Sequence, residues 1–239
     1  MPALLTPRER PQASYRARLL HEVAALKPRR VLEVGCGAGA FLRSAVGLGA
    51  ELHGIDPDES LLTALRDEGF SVQRGLAERL DYPDDSFDVV VFSFTAHHVA
   101  DWRAAMREAM RVGRAVVILD PWYETGIPSQ ALAAHFDRWC KALDRATGMV
   151  HNDCMPAAAL LEPVLDQLPL LDVNVNYLLV LQELGVERML QLADEQLQKL
   201  EQPAQWQSAL NTMVAEARLR GFSDDGAVLL SVIRRDGAA

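Results

Sequence analysis

Strand-type apolar runs alternate with helically spaced stretches through the first half of the chain, and no other feature limits the fold as much. Such runs stand at 31–34, at 52–55, in FSVQRG, at 87–92 and in RAVVILD. Between them, residues 38–46, 59–67 and WRAAMREAMRV read as helices, and Leu19, Leu20, Val23 and Leu26 give an entry helix over 15–26. Strands that alternate with helices of this length predict an α/β fold, a parallel sheet with helices on both faces. The carboxyl ends of the strands then form the ligand crevice.

After Asp120 the rhythm changes. Leu132, Phe136, Trp139 and Leu143 mark one amphipathic helix, and Leu160, Leu161, Val164, Leu165 and Leu168 a second. LLDVNVNYLLVL supplies a sixth strand at 172–181, further helical spacing follows from Val186 to Val214, and AVLLSVIRR closes as a seventh strand. The expected architecture is a seven-stranded, mostly parallel sheet with helical cap insertions after strand 5 and between strands 6 and 7. The chain's 239 residues, nearly half of them apolar, suit one domain over 1–239. Its cofactor-binding core would cover about 15–121, and its cap about 124–168 and 183–220.

Charge and cysteine usage narrow the partners. The formal net charge is -9 and no basic stretch gathers, so phosphate backbones find no general attraction and no nucleic acid is expected. Cys36, Cys140 and Cys154 are not closely paired, which fits reduced thiols in a cytoplasmic protein. No signal core or membrane-length apolar stretch is seen, and no heptad seam, so the expected state is a monomer or homodimer away from membranes.

EVGCGAGAF follows a strand and opens a helix, the setting a nucleotide loop requires. Gly35 and Gly37 let the backbone turn tightly against a ligand, and the helix start offers unpaired N–H groups. The same loop fits the G-x-G-x-x-G/A pattern of dinucleotide enzymes through Gly35, Gly37 and Ala40. Asp56 ends the second strand, where its carboxylate can accept both ribose hydroxyls of either nucleotide.

VLEVGCGAG, GIDPDES, GLAERLDYPDDSFDVVVFSFTAHHVAD and AAMREAMRV resemble, in order and spacing, the Rossmann-like class I methyltransferases that use S-adenosylmethionine. The likeness is to the subgroup holding the ubiquinone and menaquinone C-methyltransferases and many small-molecule O- and N-methyltransferases, and it covers about 15–121. It implies S-adenosyl-L-methionine as cofactor and a set of residues around it. Glu33 to Gly39, with Cys36 inside, would be the first motif, the backbone of Gly35 and Gly37 lying under the methionine part. Asp56 would hold the ribose, Pro57 would stand beside the adenine, and Phe94 would close the set after strand 4. Members usually read Gly-Asp-Ala-Glu where this chain has Gly75-Leu76-Ala77-Glu78, so Leu76 removes a carboxylate that normally meets the adenine amino group. Adenine recognition then rests on the backbone of Ala77 and on apolar contact.

Methyl transfer from a sulfonium chiefly needs a nucleophile held close in a dry pocket. A base helps when the acceptor must lose a proton, and His97 and His98, leaving strand 4, are the candidates. Adjacent histidines on a loop are expected to point apart, so joint metal ligation is not. A metal set of Asp120, His151 and Asp153 matches no known spacing, and no metal is expected. Trp122, Tyr123 and His151 are the expected substrate-binding residues, lining a pocket for a small molecule.

Asp120-Pro121-Trp122-Tyr123 also resembles the Asp-Pro-Pro-Tyr signature of enzymes that methylate base amino groups. That signature follows the fourth strand, whereas here SFTAHHV holds that station and the tetrapeptide follows the fifth. The expected activity is therefore small-molecule methylation, on oxygen or nitrogen before carbon. Its rivals are a nicotinamide-dependent dehydrogenase and a non-catalytic protein that binds S-adenosylmethionine.

Overall fold

The computed structural model describes residues 9–235. In chain order the elements are α1 Glu9–Ala25, β1 Arg30–Val34, α2 Ala40–Ala45, β2 Glu51–Asp56, α3 Glu59–Asp67, β3 Ser71–Arg74, β4 Phe87–Ser93, α4 Trp102–Val112 and β5 Gly113–Trp122. They continue with α5 Pro128–Ala146, α6 Ala157–Leu161, β6 Leu171–Leu178, α7 Gly185–Leu197, α8 Ala204–Arg220 and β7 Gly226–Arg234. The chain divides into two compact units. One is built on the sheet and holds residues 14–120, 155–176 and 228–235; the other is mainly helical and holds 121–154 and 177–227.

The sheet has seven strands in the order β3-β2-β1-β4-β5-β7-β6. Pairs β1–β2, β1–β4, β2–β3 and β4–β5 are parallel. β7 runs antiparallel to β6: the amide of Arg235, just past the end of β7, donates to Leu170 O just before β6. The strand order reverses between β1 and β4, and right-handed crossovers then place α2 and α3 on one face and α4 on the other. Val31, Leu32, Val89 to Phe92, Val116 to Leu119 and Val228 to Leu230 are all essentially inaccessible, as strands covered on both faces must be. The sheet architecture expected from the alternation is therefore present.

Local differences have local causes. α2 begins only at Ala40 because Gly39, at φ 79, is its left-handed N-cap. β5 does not stop at Asp120 but continues through Pro121 to Trp122. The helix expected around 160–168 is α only over Ala157–Leu161 and then 3-10 over Glu162–Leu170. Pro163 and Pro169 explain this, since each removes a backbone donor and crowds the preceding turn. These residues pack in the sheet unit on α4, with Trp102 Nε1 donating to Leu160 O at 3.0 Å.

The helical unit has its own core. Leu132, Phe136, Trp139 and Leu143 form one face of α5 and are buried with Met189 and Ala193 of α7, Leu210, Met213 and Ala217 of α8, and Phe222. Phe136 stacks on Trp139 at 5.6 Å and meets Phe222 edge-on at 5.3 Å. Each large side chain so buried contributes roughly 1.5–3 kcal/mol of transfer free energy. Among the described residues no helix is long and apolar enough to cross a membrane.

Candidate active site

The carboxyl ends of β1, β2, β3 and β4 lead into the expected cofactor residues, all in the sheet unit. The loop after β1 turns through Gly35 and Gly37 at φ 70 and 48, a region where a Cβ is disfavoured. The amides of Gly35 and Cys36 both donate to Ile55 O, at 2.8 and 2.9 Å. That of Gly37 donates to Asp56 Oδ2 at 2.8 Å, while Asp56 Oδ1 accepts from Asp58 N at 2.9 Å. Asp56 thus fixes the loop as well as ending β2. A Cβ on Gly37 would find nothing within 4 Å, so the loop's turn faces open space.

Gly35 is constrained differently. A Cβ there would lie 2.2 Å from Thr95 Cγ2, and Thr95 Oγ1 donates to Gly35 O at 3.2 Å. The loops after β1 and β4 are therefore in close contact. Phe94, which begins the second of them, sits at φ 56 with its amide bonded to Leu119 O at 2.7 Å. A bulky residue in this left-handed region stores backbone strain of order 1–3 kcal/mol, of a kind that clusters at ligand sites.

Glu33 is 2% exposed, and among the described residues its Oε2 has no hydrogen-bond partner. Burial pushes its carboxyl well above the usual range, against a backbone bond from Leu42 and the charge of Arg16. Arg16 lies over the Phe94 ring, 5.6 Å from its centroid. Sequence reasoning missed it. The available signal was its place on α1 beside the buried face of Tyr15, Leu19 and Val23.

Two expected cofactor residues turn their side chains elsewhere. Cys36 packs with Leu42, Leu62 and Leu65, and its Sγ lies 2.9 Å from where a Cβ on Gly54 would stand. Its thiol is pushed up to about 12 by burial and by Glu33 and Asp56, so its side chain belongs to the core and only its backbone shapes the loop. Glu78 Oε1 accepts from the amides of Ala100 and Asp101, at 3.0 and 3.1 Å, and ties down the loop before α4. Leu76 is 58% exposed, Ala77 is half-buried and Pro57 is exposed, its carbonyl accepting from Arg74 Nε at 3.2 Å.

Beyond Phe94 a 3-10 turn, Ala96–His98, presents the two histidines. His97 is buried and its Nδ1 is 2.8 Å from Asp120 Oδ1, while His98 is exposed. Their rings do not point apart: the centroids are 4.2 Å from each other, with the planes tilted by 47°. Asp120 was missed as the partner of His97, although an acid directly continuing a buried apolar strand was the visible sign.

In the helical unit, the Trp122 ring lies 4.6 Å from that of Tyr177. Tyr123 is partly buried and packs against the α5–α7–α8 core. His151 Nδ1 is 2.8 Å from Asp144 Oδ2, and Arg145 donates to His151 O at 2.6 Å, so the segment after α5 is held back onto it.

With this geometry in view, residues 32–117 match the family described as a methyltransferase domain. The chain is 36% identical over 90 residues to the uncharacterized methyltransferase YcgJ of Bacillus subtilis, which is 35% of this chain and 36% of that one. It is 32% identical over 117 residues to a demethylmenaquinone methyltransferase of Staphylococcus aureus, covering 44% and 48% of the two. The matches span less than half the length of these relatives. The solved structure of YcgJ superposes with TM-score 0.64 at 19% identity, covering 92% of this chain and all of the other. A SAM-dependent methyltransferase from Archaeoglobus fulgidus gives 0.59 at 19% identity, covering 92% and 94%. These superpositions extend the likeness in fold well past the region of sequence similarity.

Proposed function

We propose that this chain, a member of the class I S-adenosylmethionine-dependent methyltransferases, transfers the cofactor's methyl group to a small-molecule acceptor. The observation that carries the reading is the glycine loop bonded to Asp56 beside a buried Glu33 oxygen that has no partner among the described residues. A buried acceptor of this kind calls for a donor, and the methionine ammonium is one. The open space over Gly37 suits a ligand lying against the loop.

In this reading Glu33 takes the ammonium, Arg16 the carboxylate, Asp56 the ribose hydroxyls, and Pro57, Leu76 and Ala77 the adenine. S-adenosylmethionine supplies an electrophilic methyl group on a sulfonium. The chain's task is to hold an acceptor nucleophile near it and exclude water. The acceptor's proton is given up at the His97–His98 pair, with Asp120 fixing the ring of His97. This favours a protic acceptor, a hydroxyl or an amine, before carbon. In the helical unit, Trp122 beside Tyr177, together with His151, are the proposed acceptor-binding side chains. The net charge of -9 and the small-molecule acceptor named for the demethylmenaquinone relative both support a small molecule.

Calorimetry tests the reading directly. S-adenosylmethionine is expected to bind and Asp56→Ala to abolish that binding. Tight binding of NADH without S-adenosylmethionine would overturn it in favour of a dehydrogenase. Cofactor binding with no turnover across a broad panel of hydroxyl and amine acceptors would leave only the cofactor half standing.

A further inference from the structure

We propose that His97 and His98 form the protein's half of a divalent transition-metal site, oriented by Asp120, at which a protic acceptor is bound and deprotonated. The proposal deepens the functional reading above and rests on it for the acceptor's role. Its physical basis is separate from the cofactor loop.

Three observations carry it. The first is convergence: two consecutive histidines, expected to diverge, have ring centroids 4.2 Å apart and ligating nitrogens within 4.8 Å of each other. Two imidazole nitrogens bound at 2.0–2.1 Å to one tetrahedral ion stand roughly 3.4 Å apart. Rotation of the exposed His98 about its side-chain bonds covers that difference, while buried His97 stays in place.

The second is orientation. The bond from His97 Nδ1 to Asp120 Oδ1, 2.8 Å, places the proton on Nδ1 and leaves Nε2 as the ligating atom. A carboxylate behind the histidine is the usual support of a metal-bound imidazole, since it fixes the tautomer and makes the ring more basic. The third is charge. Asp120 is completely buried, and its Oδ2 has no hydrogen-bond partner among the described residues. Positive charge held on the far side of the His97 ring would compensate this buried carboxylate.

Imidazole donors select zinc, cobalt, nickel, copper or iron over magnesium and calcium. Such an ion, holding the acceptor's oxygen as a further ligand, lowers the proton affinity of that oxygen, so that its proton leaves to water at the site while both imidazoles stay engaged as ligands. The buried Asp120–His97 pair then has a purpose that a simple packing role does not require.

The test uses the full chain, stripped with a chelator and titrated with Co2+ and Zn2+ without cofactor or acceptor. One ion per chain is expected, with visible Co2+ absorption bands and micromolar or tighter affinity. His98→Ala, at an exposed position, is expected to weaken binding at least 10-fold, and Asp120→Asn about 10–100-fold. Substitution of the other four histidines, one at a time, identifies any imidazole that completes the shell. No binding, or binding unchanged in His98→Ala, overturns the proposal. Because the readout needs no cofactor, loss of the methyltransferase reading and loss of the metal site are separate results.

Discussion

The amide of Gly37 donates to Asp56 Oδ2 across 2.8 Å, joining the loop after β1 to the acid that ends β2. The neighbouring Gly35 meets protein instead, since a Cβ there would lie 2.2 Å from Thr95 Cγ2. The two glycines should therefore fail in different ways. Gly37→Ala pays only the left-handed backbone cost of about 1–2 kcal/mol, a few degrees in Tm, but its methyl fills the space above the loop. S-adenosylmethionine affinity should fall at least about 10-fold. Gly35→Ala adds a steric clash to the same backbone cost and should destabilise by about 3 kcal/mol. Thermal unfolding and calorimetry on both variants measure the two effects, and equal Tm losses would contradict the assignment.

Glu33 makes the stability of the cofactor-free protein depend on pH. Burial holds its carboxyl well above the ordinary 4.5. Between that value and its raised one the folded state binds more protons than the unfolded state, so stability falls as pH rises through this window. Glu33→Gln lacks the group and escapes the loss. The Tm advantage of Glu33→Gln over the natural chain should grow as pH rises above the ordinary 4.5. Adding S-adenosylmethionine should narrow it, because the natural chain then gains a partner for its carboxylate.

Much of the sheet unit was legible in the sequence because its strands are buried on both faces and read as near-continuous apolar runs, with Val89 to Phe92 the clearest. α3 and α4 were placed end to end correctly, since Asp58 and Asp101 are side-chain N-caps that announce a helix start. The second half was less legible. Pro163 and Pro169 lie within an apolar spacing that reads as helix, yet they convert it to a 3-10 segment in the sheet unit. At the site, the loop residues were readable from glycines and a strand-end acid. Arg16 and Asp120 were not, because their roles come from contacts across 78 and 23 residues of sequence, with Phe94 and His97 respectively. Periodicity carries no information about such contacts.

Cys36 should be inert toward alkylation. Its thiol, held at about 12, is almost wholly protonated at neutral pH, and the sulfur is packed under Gly54. Only the thiolate reacts at a useful rate. Iodoacetamide at about pH 8 should leave Cys36 unmodified in the folded chain and label it after denaturation. Mass spectrometry of the Cys36 peptide decides this. Rapid labelling in the native protein would mean that the loop opens.

In the helical unit, Lys141 is almost fully buried on α5, its Nζ 2.9 Å from Asp137 Oδ2 and 3.1 Å from Cys154 Sγ. Burial alone would lower its pKa, but Asp137 and Cys154 outweigh burial and raise it. A lysine with a raised folded pKa contributes stability that is complete below its unfolded value and is lost only as pH rises through the folded one. Lys141 therefore adds no pH dependence near neutrality. Removing one partner is another matter, because it strands the other. Lys141→Met should destabilise by roughly 2–4 kcal/mol, less than for a fully buried pair because Asp137 keeps 20% of its side chain exposed. Lys141→Met with Asp137→Leu should recover part of that loss, since no charge is then left without its partner. Urea unfolding of the two single variants and the double variant forms the cycle. A double variant weaker than Lys141→Met alone would show that the α5 pair itself, and not the relief of an uncompensated charge, dominates at this position.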